Sequence, residues 1–363
     1  MASWPTRTGL GDPAEARGLL VLAPDSGTAV GLGPEERAAC VRMAARTLAA
    51  AGVTAADRVV VALSSDGEPA GVLVARAAAE VAEAAAACGP RGRMRLHQAL
   101  ARVAATTLVI TPTGAMDLLA RLHLEFLVDP LDLGLRTLVL TGEIASPGCA
   151  AHLAAEFGAR VVEVYTDPVF GMPLAWGDAP GEPLAPVAEG VLGLAPLDAD
   201  RSLAAPYEPG LAEYVLTPEW HGGLAGSVIR TGQAVRLAGG EKGPPAPVHT
   251  VGDHVLVRGR WLPLPRMERA LARVDGITHW ELALARPGTL DTAVLRVTFG
   301  RETLVGNPMW RGRIAQALAE VTPVRIEVEV APEPFPSPRP PVVTDGRGQH
   351  LGRDRAAVAR EAG

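Results

Sequence analysis

The sequence contains almost no lysine. Of its 34 basic residues only Lys242 is a lysine, and all the others are arginines. A guanidinium is planar, bulkier than an ammonium and effectively never deprotonated, so a reaction that needs a mobile lysine has a single candidate in this chain. The 40 acidic residues outnumber the basic ones and give a formal net charge of −6. We therefore expect neither nucleic acid nor an anionic membrane surface as a partner.

Cysteine and long apolar runs are also scarce. The three cysteines, Cys40, Cys88 and Cys149, are far apart and lack metal-ligand spacing, so we expect buried thiols in a reducing cytoplasm and no metal site. The longest apolar stretch, 71–88, contains charged residues and is too polar to span a bilayer. Catalytic patterns such as GxSxG, HExxH and GxxxxGK[ST] do not occur. At roughly 150 residues per domain, the length predicts two domains.

The first part of the chain alternates between two kinds of hydrophobic pattern. Short β-branched runs predict strands at 58–63, 107–111, 137–142 and 160–165. Helical spacing predicts helices at 34–51, 69–87, 94–104, 114–124 and 147–157. This alternation indicates an α/β domain, with a parallel sheet that is covered on both faces. After Gly171, short alternating segments up to residue 250 indicate antiparallel strands.

The last part of the chain has the pattern of a small α+β domain. Helices are predicted at 265–273 and 309–320, and strands at 279–285, 292–299 and 325–330. The proline-rich segment 332–341 predicts a loop, because proline donates no hydrogen bond to a sheet, and the polar end predicts a frayed helix. We therefore predict a large domain at 1–252 and a small one at 253–363.

Two carboxylates directly follow predicted strands. Glu143 comes after the strand at 137–142, and Asp167 comes after the strand at 160–165. The carboxyl ends of parallel strands are where such sheets bind ligands, so both residues are candidates for a site. Glu143 has an equally good structural explanation, as a cap of the helix predicted to begin near Ser146. The residues alone leave both roles open.

Six segments of the chain follow one another in a recognisable order. They are TPTGAMDLL at 111–119, TLVLTGEIASPG at 137–148, RVVEVYTDPVFG at 160–171, SVIRTGQAVRL at 227–237, TVGDHVLVRGRWLPLPRMERAL at 250–271 and VVTDGR at 342–347. In this order they resemble motifs of the adenylate-forming (AMP-binding) enzymes, and in particular of the phenylacetate-CoA ligase and coenzyme F390 synthetase-like branch. The resemblance implies a large α/β domain, a small α+β lid domain, and a reaction that joins a carboxylate to ATP and then to coenzyme A.

The resemblance also implies roles for particular residues. It places the hinge between the domains at Asp253. It implies an acyl pocket lined by Thr111, Pro112, Thr113, Gly142, Glu143, Tyr165 and Phe170.

The residues that would handle ATP depart from the motifs of these enzymes. Only Ser26, Gly27 and Thr28 match the phosphate-binding loop, which is shortened, and the three residues also read as an ordinary turn. Asp167 stands in place of the glutamate that carries Mg²⁺. Gln233 replaces the aspartate that binds the ribose, and a neutral amide lacks the charge that strengthens such a hydrogen bond.

The lysine of the lid is missing. Pro340 and Pro341 stand where these enzymes have a Gly-Lys turn. Arg339 and Arg347 are weak catalytic candidates that could supply positive charge, although their length and fixed geometry differ from those of a lysine.

We therefore expect a cytoplasmic protein that binds an acyl or aryl carboxylic acid or its thioester. It would be impaired in ATP-dependent adenylation and repurposed in specialised metabolism, and a homodimer is left open. One alternative is an active acid–CoA ligase that uses ATP, Mg²⁺ and coenzyme A, with Asp167, Gln233 and an arginine as substitutes. The second alternative is a non-catalytic subunit that assembles with an active paralogue.

Overall fold

The protein forms two compact units, each with its own hydrophobic core. The computed structural model describes residues 3–8, 10, 15–23, 28–65, 70–90, 92–146, 148–178, 182–305, 307 and 309–362. The second unit is His249–Arg355, and the first contains the described residues up to Val248 and the end of the chain from Ala356. The assignment of two domains at 1–252 and 253–363 stays a prediction.

The first unit contains most of the secondary structure. Its strands are β1 (Leu19–Ala23), β2 (Thr28–Leu32), β3 (Arg58–Val61), β4 (Ala84–Ala87), β5 (Thr107–Ile110), β6 (Thr137–Leu140), β7 (Arg160–Thr166), β8 (Pro173–Gly177), β9 (Ala185–Pro186), β10 (Leu192–Pro196), β11 (Gly210–Leu216) and β12 (Ile229–Leu237). Its helices are α1 (Pro34–Ala50), α2 (Ala70–Ala79), α3 (Arg93–Val103), α4 (Pro112–Arg121) and α5 (Cys149–Phe157). A π-helical turn, Leu122–Phe126, extends α4, and a 3₁₀ turn follows at Pro130–Leu133.

A seven-stranded sheet organises this unit. Its strand order is β4-β3-β5-β6-β7-β8-β9, in which β4 to β7 are parallel and β8 and β9 are antiparallel. Side chains alternate between two cores: Val59 and Val61 face the core that contains α1 and α2, whereas Val60 faces the core that contains α3, α4 and α5. Burial on both faces explains the continuous apolar strands. The predicted parallel sheet is confirmed.

The alanine-rich stretch predicted as one helix at 69–87 contains both a helix and a strand. Helix α2 ends at Ala79, and β4 adds an edge strand beside β3. The pairing extends beyond the strand, because the Glu83 N–H donates to the Asp57 carbonyl (2.9 Å) and the Cys88 N–H donates to the Val61 carbonyl (2.9 Å). The helix prediction over 84–87 was wrong, since the helix propensity of alanine is a weak preference that these backbone hydrogen bonds override.

The strands predicted after Gly171 include an antiparallel sheet of β10, β11 and β12. A buried ion pair crosses its two longer strands: Arg230 Nη1 donates to Glu213 Oε2 at 2.8 Å, and the Gly232 N–H donates to Glu213 Oε1 at 2.9 Å. Arg230 also contacts Asp200 at 2.9 Å. These contacts fix the backbone of the segment that leads to Gln233.

The second unit is a small α+β body. Its strands are β13 (His249–Thr250), β14 (His254–Val257), β15 (Arg260–Pro263), β16 (Ile277–Ala285), β17 (Thr292–Phe299), β18 (Glu327–Val330) and β19 (Val342–Asp345). Its helices are α6 (Leu264–Ala272), α7 (Glu302–Val305) and α8 (Met309–Ala319), and α9 (Arg355–Ala362) ends the chain. None of the described helices has the length and apolar character that crossing a bilayer requires.

A mixed sheet with the order β18-β17-β16-β19 forms the centre of the second unit. Strand β19 was not predicted from the sequence. The proline-rich segment 332–341 has no assigned strand, as expected, but the chain then pairs again, parallel to β16. Arg347 anchors this return, because it forms ion pairs with Asp345 (2.8 Å) and with Asp291 (2.5 Å).

Candidate functional site

The candidate site lies at the carboxyl ends of β5, β6 and β7. Strand β5 leads directly into α4, where Thr111 is the N-cap residue and its Oγ1 accepts a hydrogen bond from the Gly114 N–H at 3.1 Å. Pro112 occupies the first helical position, where its missing N–H costs nothing. Helix α4 therefore begins immediately at the end of its strand.

Glu143 connects two of these strand ends. Its Oε2 accepts a hydrogen bond from the backbone N–H of Thr113 at 2.8 Å, and its carboxylate accepts the Thr113 hydroxyl at 2.6–2.7 Å. Glu143 therefore caps α4, and its predicted role as a cap of the helix near Ser146 stays a prediction. A carboxylate at this position also interacts favourably with the positive end of the helix dipole.

The turn before Glu143 needs a glycine. Gly142 has φ +80°, a left-handed conformation, and a Cβ there would lie 3.6 Å from Thr111 Cγ2. Next to it, the Thr141 and Thr166 hydroxyls are 2.7 Å apart and join the ends of β6 and β7. The strand ends are thus held together by side-chain hydrogen bonds.

A small cavity of about 40 Å³ lies at these strand ends, and a cleft of about 700 Å³ adjoins it. The cavity is lined by Pro112, Leu140, Thr141, Gly142, Glu143, Ala145, Ala150, Val161, Glu163, Val164, Tyr165, Thr166, Leu184, Gln233 and Pro247. The cleft shares Ala145, Ala150, Val161, Glu163 and Pro247 with the cavity. Together they form a mostly apolar space with a few polar groups.

Tyr165 and Gln233 provide polar atoms beside the cavity. Tyr165 is stacked on Tyr214 with a centroid distance of 4.7 Å, and burial raises the pKa of its phenol well above the usual range. Its hydroxyl makes no hydrogen bond of normal geometry to a described residue, and neither does the buried Oε1 of Gln233. A buried acceptor without a donor is costly, and the role of Gln233 in the site stays a prediction.

Glu163 is a site residue that the sequence reasoning missed. It lies within β7, lines both the cavity and the cleft, and has no hydrogen-bond or ion-pair partner within the described ranges. Burial raises the pKa of its carboxyl. The signal was visible in RVVEVY, where Glu163 is a charged residue between the apolar residues Val162 and Val164. Unpaired, partly buried carboxyl groups of this kind mark candidate functional sites.

Four of the predicted site residues of the first unit are not part of the cavity lining, namely Thr111, Thr113, Asp167 and Phe170. Asp167 is fully buried, and its carboxylate accepts the backbone N–H groups of Val169 (2.9 Å), Phe170 (2.7 Å) and Met172 (3.2 Å). Burial raises its pKa to about 6, although the three N–H groups act in the opposite direction. Phe170 is also fully buried and packs against Trp220 with a centroid distance of 5.4 Å. Phe170 does not line the described cavity, and its place in an acyl pocket stays a prediction.

Three predicted residues belong to the second unit. Arg339 is exposed, and its guanidinium lies 3.5 Å from the centroid of the Phe335 ring. Arg347 is buried between Asp291 and Asp345, which favours a structural role over the predicted catalytic one. Asp253 pairs with Arg353 at 2.8 Å, and its role as a hinge stays a prediction.

The phosphate-loop remnant is only partly described. Ser26 and Gly27 lie outside the described residues, and Thr28 begins β2. The predicted phosphate-binding role of Ser26, Gly27 and Thr28 therefore stays a prediction.

Solved structures with this architecture provide the comparison, since no protein-family model and no curated protein matches the sequence. A 2-hydroxyisobutyryl-CoA ligase in complex with 2-HIB-AMP and CoA is similar with a TM-score of 0.74 and 18% identity, over 94% of this chain and 74% of its own. A malonyl-CoA ligase with methylmalonyl-CoA and AMP bound has a TM-score of 0.61 and 16% identity, over 88% of this chain and 70% of its own. The chain has the fold of the adenylate-forming ligases. A third such structure, the amide bond synthetase McbA from Marinactinospora thermotolerans, has a TM-score of 0.59 and 17% identity, over 88% of this chain and 64% of its own.

Two residues that the resemblance assigns to a Mg²⁺–ATP complex differ from the implied chemistry, and an impaired ATP site stays a prediction. All the hydrogen bonds that Asp167 accepts come from backbone N–H groups, and its carboxylate is fully buried, so it is not available to a cation. Gln233 offers an uncharged amide where the resemblance implies a ribose-binding aspartate. Across the described ranges, no group of three or more His, Cys, Asp and Glu side chains could hold a metal ion. We therefore derive no chemical step that uses ATP or Mg²⁺.

Proposed function

We propose that the protein binds an acyl or aryl carboxylic acid, or its thioester, in the cleft that adjoins the cavity at the ends of β6 and β7. The proposal rests on the lining of this space, which is mostly apolar and contains a small number of polar groups. Small-molecule sites have this composition and typically measure about 300–1,000 Å³. At about 700 Å³, the cleft is large enough for a small acid or the acyl part of a thioester.

We further propose that the protein is a phenylacetate-CoA ligase-like homologue in which ATP-dependent adenylation is impaired. The chain's single lysine, Lys242, is exposed between β12 and β13, far in sequence from the segment where the resemblance places a catalytic lysine. That segment carries Arg339, whose guanidinium lies over Phe335. Together with the buried Asp167 and the neutral Gln233, these features favour a binding protein or repurposed catalyst of specialised metabolism in the cytoplasm.

Two measurements on the full chain test this function. We expect isothermal titration with a panel of aryl acids, including benzoate and phenylacetate, to show binding. We expect no acid-dependent release of pyrophosphate from ATP and Mg²⁺. Micromolar binding of ATP together with acid-dependent pyrophosphate release would instead identify an active ligase.

A matched pair of variants tests the location of the site. Ala151 is an exposed residue of α5 that lines the cleft, so Ala151→Trp should fill the cleft and abolish acid binding. Ala155 is exposed one turn later on the same helix and does not line the cleft, so Ala155→Trp should bind acids as the natural chain does. Equal binding by both variants would exclude this cleft.

A further inference from the structure

Two side chains of opposite charge line the cleft without a partner in the described part of the chain. Glu163 projects from β7, and Arg236 projects from β12. Neither makes an ion pair or hydrogen bond with a described residue. The remaining charged residue of the lining, Asp178, forms an ion pair with Arg160. The cleft therefore presents one uncompensated negative group and one uncompensated positive group.

The environment of Glu163 favours a cationic or hydrogen-bond-donating partner. Its side chain is partly buried and lines the cavity together with apolar residues such as Val161 and Ala150, and its pKa is raised by burial. Placing a carboxylate in such surroundings without a partner is unfavourable. A bound group that brings an N–H donor or a positive charge to this carboxylate removes that penalty and gains a charge-assisted hydrogen bond.

Arg236 provides the complementary group. It is exposed at the edge of the cleft, and its backbone is fixed in β12 opposite Leu211. The guanidinium has a planar set of donors that matches a carboxylate in a two-pronged geometry. An acid entering the cleft can therefore place its carboxylate against Arg236.

We infer that the acid bound by this cleft also carries an amino group, so that its ammonium binds Glu163 while its carboxylate binds Arg236. The inference rests on the proposed function, because it names the class of acid that the same site accepts. The rest of the lining is mostly apolar and includes Ala145, Ala154 and Pro247. The ligand class is thus an amino acid with an apolar body.

Pairs of ligands that differ only in the amino group test this inference. The first pair is L-phenylalanine and 3-phenylpropionate. The second pair is 4-(aminomethyl)benzoate, whose amino group and carboxylate are farther apart than those of phenylalanine, and 4-methylbenzoate. Each ligand is titrated into the full chain and into E163Q, R236Q and the control E189Q, which alters an exposed glutamate outside the cleft lining. Circular dichroism confirms that each variant is folded.

We expect at least one amino acid to bind about ten-fold or more tightly than its deaminated partner, as the loss of one charge-assisted hydrogen bond predicts. E163Q should remove this preference, because only the amino group is expected to bind Glu163. R236Q should lower the affinity for both members of the pair, and E189Q should change neither affinity.

Equal affinities within both pairs, or an equal loss for both members in E163Q, would overturn the inference while leaving acid binding intact. If no acid of any panel binds, the proposed function fails and the inference fails with it.

Discussion

Glu143 accepts hydrogen bonds from both the backbone N–H and the hydroxyl of Thr113, 30 residues earlier in the chain. This contact ties the end of β6 to the first turn of α4, and both elements border the candidate site. The carboxylate satisfies one of the N–H groups that a helix leaves unpaired at its start, and it lies near the positive end of the helix dipole. The same contact therefore stabilises the fold and shapes the cavity.

Replacing Glu143 should destabilise the protein. In Glu143→Gln, the amide nitrogen cannot accept a hydrogen bond and the charge at the helix start is lost, so we expect the free energy of unfolding to fall by about 1–3 kcal/mol. Urea denaturation measures this loss. The control Glu125→Gln alters an exposed glutamate that pairs with Arg121, and it should change the free energy by less than about 1 kcal/mol.

A double-mutant cycle isolates the contact itself. Thr113→Val removes the hydroxyl and keeps the shape of the side chain. If the contact stabilises the fold, the loss in the double variant should differ from the sum of the single losses by at least about 0.5 kcal/mol. Strict additivity would mean that the two residues act independently.

Asp167 should be important for stability. In Asp167→Asn, one oxygen can still accept from Val169 and Phe170, but the amide nitrogen then faces the Met172 N–H, which has lost its acceptor. We expect a loss of about 1–3 kcal/mol in the free energy of unfolding by urea denaturation. Asp132 is exposed, so Asp132→Asn should have no measurable effect. A variant of Asp167 that folds as stably as the natural chain and loses only ATP-dependent turnover would support the active-ligase alternative.

The sequence predicts the sheet better than it predicts the site. Strands such as β3 and β5 were predicted because burial on both faces selects continuous β-branched residues. The role of Glu143 could not be decided, because its partner Thr113 is distant in sequence and belongs to another helix. Strand β4 was not predicted, because its four consecutive alanines favour a helix. Only the pairing with β3 makes this segment extended. The charge of Glu163 was visible, but its lack of a partner is a property of the folded chain.

Arg230 should contribute strongly to stability, because its ion pair with Glu213 is buried. Arg230 is 5% exposed and Glu213 is fully buried, so Arg230→Met removes a hydrogen-bonded positive charge from a buried carboxylate. We expect the free energy of unfolding of this variant, measured by urea denaturation, to be lower by about 3–5 kcal/mol. The exposed pair of Arg296 and Glu329, 3.2 Å apart, provides the matched control, and Arg296→Met should cost less than about 1 kcal/mol. Similar losses in the two variants would contradict the assigned role.

The last prediction concerns the pH dependence of stability and the residue His350. Burial lowers the pKa of its imidazole to about 4 in the folded protein, whereas an unfolded histidine has a pKa of about 6.5. The groups around it include Asp345, Arg347, Arg353 and Asp253, and its Nδ1 lies 3.1 Å from the Thr250 hydroxyl. Because the folded pKa is lowered, the unfolded chain binds more protons between these values.

The contribution of His350 to stability is therefore fully present above about pH 6.5 and is lost as the pH falls towards about 4. The free energy of unfolding, measured by urea denaturation at several pH values, should fall more steeply over this interval in the natural chain than in His350→Gln, whose amide cannot titrate. The control His123→Gln alters a histidine whose side chain is 46% exposed and should retain the slope of the natural chain. If the curves of His350→Gln and the natural chain run parallel, the imidazole of His350 titrates alike in the folded and unfolded states.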